Sequence, residues 1–202
     1  MSRALAFIIL AAGESQRMGS PKPLLRLGDQ TFIEHILAHR FLAEEGIQPL
    51  VVLGHEAEAI QRRLPADMAR AINTAYSSGR MSSIQCGLRT LSLPVEGAFI
   101  LPVDCPLVSE SVLQKIHEAF TGRQDICIPS CRFRRGHPPL IGAEYFSEIL
   151  GMGSEASLRT LYQHHDASIR YAEVESEAIL HNINTPDDYR LIQEFYSRQQ
   201  KD

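Results

Sequence analysis

The stretch Leu10-Ala11-Ala12-Gly13-Glu14-Ser15-Gln16-Arg17-Met18-Gly19-Ser20-Pro21-Lys22-Pro23-Leu24-Leu25 follows directly on the apolar run from Ala4 to Leu10. A run that is apolar at every position, rather than at alternate ones, reads as a strand buried on both faces. The turn that ends it is built of small residues, Ala11, Ala12 and Gly13, so a ligand can approach the backbone, and N–H groups in such a turn bind anions. Arg17 and Lys22 add two cations. Lys22 lies between Pro21 and Pro23, whose rings stiffen the backbone that presents it. The stretch is not a dinucleotide fingerprint, because Gly13 and Gly19 lack a third partner glycine. It is not a Walker A loop either, because Pro23 stands where that loop has its metal-binding hydroxyl. Read alone, it is either a phosphate cradle of the Gly-rich type or a solvated loop with incidental charges.

Working outward, strands and helices alternate. Thr31 and Glu34 have the spacing of a capping box, and the helix they open carries Ile33, Ile36, Leu37 and Phe41 on one face and ends near Gly46. Pro49 to Leu53 reads as a buried strand stopped by Gly54, Glu56 to Leu64 as a short helix, and Arg70 to Asn73 as a strand. Met81 to Leu91 reads as a helix, Ala98 to Val103 as a buried strand ending at Asp104, and the next helix begins at Ser109. Asp125 to Pro129 reads as a strand, Ser130 to Pro139 as a basic, turn-rich stretch, and Glu144 to Leu150 and Glu155 to His164 as helices. Ile179 to Ile183 reads as a late strand. The final helix starts at Thr185-Pro186-Asp187-Asp188, with a hydroxyl cap, an early proline and acids at the positive end of the helix. This alternation implies an α/β fold, a mostly parallel sheet with helices on both faces. Ligands of such sheets gather beyond the carboxyl ends of the strands, which are the first loop, Gly54, the region after Asn73, and Asp104.

Composition sets the outer limits. The 202 residues, 44% hydrophobic and 22% charged, are those of an ordinary globular chain, and residues 1–202 are expected to form one domain. The net charge of −4 speaks against bulk nucleic-acid binding. No apolar run approaches the ~18 residues of a membrane span. The apolar start runs into a glycine turn rather than a cleavage site, so it reads as a strand and not a signal peptide. Four cysteines are too few for a disulfide scaffold, and a reduced, cytoplasmic protein is the expectation.

Three further clusters invite chemistry. Asp104 follows a buried strand directly, and a lone carboxylate there suits Mg²⁺, which completes its shell with phosphates and water; the plainer alternative is a turn-forming Asp before Pro106. Ser77-Ser78-Gly79-Arg80-Met81-Ser82-Ser83 opens a helix and offers hydroxyls and N–H groups at its positive end, or simply caps it. Cys131-Arg132-Phe133-Arg134-Arg135-Gly136-His137 places three arginines and a histidine beside a strand end, where they can receive a phosphorylated acceptor or form a solvated basic face. Cys127, Cys131 and His137 make three candidate zinc ligands without a fourth, short of a structural site, and His164-His165 reads as a helix-end surface pair.

Leu10 to Leu25 resembles the signature L-A-A-G-x-S-x-R-M-G-x-x-K-x-L-L of the MobA-like nucleotidyltransferases, most of all the molybdenum cofactor cytidylyltransferases. Ser78 to Leu88, Pro102 to Val108, Arg135 to Pro139 and Asn182 to Asp188 are similar to further segments of that superfamily, in order and over most of the chain. The resemblance implies a Rossmann-like three-layer α/β/α fold and transfer of a nucleoside monophosphate onto a phosphorylated acceptor. It implies that Leu10, Ala11, Ala12, Gly13 and Gly19 hold the nucleotide phosphates, with Gly54 at a neighbouring strand end, and that Ser78, Gly79, Ser82 and Ser83 hold base and ribose. Arg17, Lys22 and Asp104 become the catalytic set, Asp104 the Mg²⁺ ligand, and Arg135, His137, Asn182 and Asn184 the acceptor side. Ala12 in L-A-A-G points to CTP, where L-A-G-G accompanies GTP. The implied acceptor is molybdopterin, and a molybdoenzyme apoprotein is an implied partner. Asn182 and Asn184 replace the acids of the D-x-D-T-P pattern, and Gly153 to Arg159 departs from G-D-x-G-A-R. A sugar or polyol phosphate as acceptor, and a non-catalytic carrier of molybdenum cofactor, are the competing readings.

Overall fold

In the computed structural model, which describes residues 4–92 and 94–199, the opening apolar run is strand β1 (Leu5–Ala11), with all seven residues buried. A hairpin of β2 (Arg26–Leu27) and β3 (Gln30–Thr31) follows the first loop and leads into α1 (Phe32–Leu37) and α2 (Arg40–Glu44). Next come β4 (Pro49–Leu53), α3 (Ala57–Gln61), β5 (Ala69–Ile72), α4 (Arg80–Thr90), β6 (Gly97–Pro102) and α5 (Glu110–Ala119). The chain continues through β7 (Ile126–Cys131), β8 (Arg134–Arg135), β9 (Leu140–Gly142), α6 (Phe146–Gly151), α7 (Leu158–His164), β10 (Ile169–Glu173) and α8 (Pro186–Gln199).

The main sheet has the order β10-β7-β9-β6-β1-β4-β5, with β8 paired to β7. Only β8 and β9 run against the other strands, so the mostly parallel sheet expected from the alternation is present. Side chains alternate across the central strands and divide the core in two. Phe7, Ile9, Val51, Phe99 and Leu101 pack under α1, α2 and α5, whereas Ile8, Leu10, Val52 and Ile100 pack under α4, α6 and α7. The result is three layers, helix on sheet on helix. Gly87 of α4 sets the spacing of one layer, since a Cβ there would lie 2.6 Å from Ile8 Cγ2.

Two expectations need correction. The late strand at Ile179 to Ile183 is absent, and a 3₁₀ turn, Glu177–Leu180, occupies its start. Ser176 Oγ accepts the Ala178 N–H, the Ile179 carbonyl accepts from His137 N–H, and the Ile183 N–H goes to the Asp104 carbonyl. With those groups committed to loops, no ladder forms. The strand that does join β7 is β10, where Ala172 alone is buried, so it shows no apolar run or alternation to read. The first long helix is also broken into α1 and α2 at His39, whose backbone is extended (φ −62°, ψ 116°).

β8 and β9 share one side of β7. β9 pairs with Ile126 and Cys127, and β8 pairs with Ser130 and Cys131. Between them Gly136–Pro139 bulges from the ladder, with Gly136 N–H donating to the Pro129 carbonyl, Ile100 N–H to the Pro139 carbonyl, and a cis bond at His137–Pro138. The two-residue turn from β7 to β8 holds Arg132 at φ 50° and Phe133 at φ 63°. A hairpin turn with two positive φ angles favours Asn-Gly, and non-glycine residues there cost roughly 1–2 kcal/mol each.

Candidate active site

The carboxyl edge of β1 and β6 opens into a cavity of about 240 Å³. Leu10, Ala11, Ala12 and Gly13 line it from the end of β1, Pro102, Val103 and Asp104 from the end of β6, and Gly79, Arg80 and Ser83 from the start of α4. Lys22 and Asn184 close one side, and Tyr76 stands on another. A Cβ on Gly13 would meet no protein atom within 4 Å. The missing side chain at that position therefore widens the cavity rather than relieving a clash.

Lys22 reaches the cavity because its loop is tied down from within. Ser15, itself left-handed at φ 54°, accepts the Lys22 backbone N–H on its hydroxyl at 3.1 Å, and Lys22 begins a 3₁₀ turn with Pro23 buried behind it. Its ammonium donates to Asn184 Oδ1 at 2.8 Å and lies 3.3 Å from Asp104 Oδ2. Arg80 approaches the same carboxylate oxygen at 3.8 Å from the far side. Asp104 is 8% exposed and Lys22 14%, whereas Arg80 is 54% exposed and can swing to a ligand. Two cations thus converge on one carboxylate at the floor, leaving a net positive charge where an anion would enter. The α4 N-terminus, with its unpaired N–H groups, faces the same space.

Asn184 is fixed by the cap of α8. Asp188 Oδ2 accepts the N–H groups of Asn184 and Thr185, and Thr185 Oγ1 accepts the Asp188 N–H. These bonds, chiefly that from Asn184, hold the Asp188 carboxyl below the usual range, with burial opposing them and Lys22 adding to the effect. Asn182 Oδ1 accepts from the buried Cys105 thiol at 2.8 Å. Burial, then the neighbouring Asp104 charge, pushes that thiol well above its usual pKa, so it stays protonated and donates. His137 is mostly buried, and its Nδ1 has no hydrogen-bond partner. Burial, then the like charge of Arg80, lowers its pKa to about 4 against the opposing pull of Asp104, so the ring is neutral near pH 7.

The expected residues separate into two sets. Leu10, Ala11, Ala12, Gly13, Lys22, Gly79, Ser83, Asp104 and Asn184 meet at the cavity. Arg17 lies in an adjoining exposed cleft beside Lys22 and Asn184. Gly19, at φ 64°, ends the 3₁₀ turn of that loop, and Gly54 packs behind the wall, where a Cβ would come within 2.8 Å of Ala12 and Tyr76. Ser82 donates to the Ala75 and Gly79 carbonyls and receives Asn73 Nδ2, so its hydroxyl ties down the loop that also contains Ser78. Arg135 points away, hydrogen-bonded to Tyr171 and 3.6 Å from Asp166. Cys127 and Cys131 are buried in β7, and among the described residues no three His, Cys, Asp or Glu side chains gather as a metal group. His164 and His165 both engage Glu148.

Arg80 and Tyr76 were not singled out from the sequence. Arg80 sits in the first turn of a helix, where a cation opposes the helix dipole. That misfit was the available signal.

No helix among the described residues is long and apolar enough to cross a membrane. Residues 7–169 match the MobA-like NTP transferase domain. A probable molybdenum cofactor guanylyltransferase of Methanothermobacter thermautotrophicus is 28% identical over 202 residues, covering 95% of this chain and 100% of that protein. One from Bacillus mycoides is 28% identical over 140 residues, which is 68% of this chain and 66% of the relative, just short of two thirds of its length. A solved nucleotidyl transferase from Methanothermobacter thermautotrophicus superposes with a TM-score of 0.81 at 23% identity, covering 97% of this chain and 99% of that one. With its β1 turn, the Lys22–Asp104 floor and a match spanning most of its length, the chain belongs to the MobA-like NTP transferase domain family.

Proposed function

We propose that this protein is a nucleotidyltransferase that moves a nucleoside monophosphate from an NTP onto a phosphorylated acceptor of the pterin type, molybdopterin above all. The observation that carries the reading is the convergence of Lys22, Arg80 and Asp104 beneath the Leu10–Gly13 turn. An acceptor phosphate oxygen attacks the α-phosphorus, the bond from that phosphorus to its bridging oxygen breaks, and pyrophosphate leaves with the electron pair. No covalent enzyme intermediate is needed, so the protein contributes position and charge. Backbone N–H groups from Ala11 to Gly13 and those at the start of α4 receive the phosphates. Lys22 and Arg80 stabilise the charge that grows on the leaving pyrophosphate, and Arg17 stands at the exit.

The donor set suits Mg²⁺. Asp104 Oδ2 and Asn184 Oδ1 both face the position now taken by the Lys22 ammonium, a carboxylate and an amide oxygen that a hard cation accepts along with water and phosphate oxygens. Held by these two oxygens, with the Lys22 ammonium turned from them to the phosphates, Mg²⁺ would neutralise phosphate charge.

Ala12 favours CTP as the nucleotide, through the L-A-A-G pattern. The relatives named guanylyltransferases favour GTP. A thermal-shift panel of CTP, GTP, UTP and ATP with Mg²⁺ separates them, because a ligand of the folded state raises apparent stability with concentration over Kd. Pyrophosphate release with molybdopterin and the stabilising nucleotide is the expected result. Pterin binding with no turnover of any NTP would identify a carrier and overturn the proposal.

A further inference from the structure

Away from the cavity, the turn from β7 to β8 lifts Phe133 almost wholly into solvent, at 99% exposure, between Arg132 and Arg134. The backbone there is held in a conformation that disfavours both residues, with Arg132 at φ 50° and Phe133 at φ 63°. Strain retained at an exposed aromatic tip marks a position selected for what it touches. An apolar hollow of about 300 Å³ lies between the 178–183 segment and α8. Leu107, Ile183, Leu191 and Phe195 line it, and Asp188 and Glu194 give its rim negative charge. Leu191 is 65% exposed and Phe195 43%, so the hollow stands open. The tip and the hollow are neighbours within one chain, joined by the Arg132–Glu177 ion pair at 2.6 Å next to Ala178 of the hollow's wall.

We infer that a second copy of this chain fills the hollow: Phe133 of each protomer seats in the 178–195 hollow of the other, with Arg134 beside it against the acidic rim. The charges are complementary, a basic aromatic knob and an acidic apolar socket, and the two adjoin in the chain through the Arg132–Glu177 pair. A two-fold axis lets each copy offer both at once, as an isologous contact requires. A buried Phe removes ~150–250 Å² from water, so the two knobs supply only part of the ~1,200–2,000 Å² of a stable interface. The dimer is therefore expected to be a reversible one.

Sedimentation velocity of the full chain across the micromolar range tests this. The weight-average mass should climb with concentration toward twice the monomer value. Phe133→Ser and Leu191→Glu each lose both contacts and should raise the dimer Kd at least about 30-fold, the effect of losing a central aromatic anchor. Mixed in equal amounts, they retain one intact knob and socket per pair and should associate more strongly than either alone. The double substitution Arg132→Asn with Phe133→Gly suits the turn better, so it should raise the melting temperature while abolishing association. Wild-type mass independent of concentration, variants that dimerise like the wild type, or a mixture no stronger than its components would each overturn the inference.

Discussion

Lys22→Ala is the sharpest probe of the active site. The ammonium lies 3.3 Å from Asp104 Oδ2, a gross attraction of roughly 5 kcal/mol at an effective dielectric of about 20. Little of that is lost from the fold, because Lys22 regains hydration in the unfolded chain and Asp104 keeps Arg80 at 3.8 Å. Removing the bond to Asn184 and one of two counterions should cost about 1–2 kcal/mol, or roughly 2–8 °C in Tm for a chain of this size. Turnover should fall much further, by about 10²–10³-fold, the usual loss when one donor aimed at developing charge is deleted. Lys22→Arg should not rescue it, since a planar fork does not replace a compact point charge in a space shaped for one ammonium. The assay is pyrophosphate release under single-turnover conditions, with thermal melts of the same preparations. Turnover within about threefold of wild type, or a loss no larger than the fraction unfolded, would refute the reasoning.

Three other outcomes follow from the structure. Asp104→Asn should shift the Mg²⁺ titration of pyrophosphate release to higher concentration, and a superimposable titration would remove the metal role. His137 is neutral when folded, with a pKa of about 4 against an ordinary 6.5; the unfolded chain therefore binds the extra proton in that window, and stability is full above about pH 6.5 and falls as pH drops toward 4. The loss between pH 7 and 5 should be on the order of 2 kcal/mol, measured by urea denaturation, and His137→Gln should flatten it. Gly136→Ala would put a Cβ 2.5 Å from the Ile179 carbonyl oxygen and 2.6 Å from its Cγ1, so it should cost about 1–3 kcal/mol, visible as a lower urea midpoint at an unchanged slope.

What could be read from the sequence follows from where the information resides. β1, β4 and β6 are apolar along their whole length because they are buried on both faces, and that pattern needs no partner to be seen. The Thr31–Glu34 cap is local chemistry, and both of its reciprocal bonds are present. β10 escaped because an edge strand owes its place to β7 rather than to its own residues. Ile179 and Ile183 look like strand residues, yet their backbones answer to His137 and Asp104, far away in the chain. At the site, the motif indicated Lys22 and Asp104 separately. Their contact spans 82 residues and that of Lys22 with Asn184 spans 162, distances no local pattern encodes. Arg135 was legible as charge, but Tyr171 and Asp166, which claim it, come from β10 and the turn before it.

The reversed strand β9 has an evolutionary consequence. Because β8 and β9 run against β7, the chain turns back at the carboxyl edge after Cys131 and descends beside β7 until Leu140 stands opposite Cys127, so the 132–139 excursion is clamped to one strand at both ends. Its ends are pinned within one local pairing, and doubling a loop of this kind costs only about 0.6 kcal/mol in closure entropy. Insertions at its exposed tip would reshape the outer surface while the strand order and the β1 turn stay untouched. Selection can thus vary that surface by growing one short detour, without rebuilding the sheet beneath it.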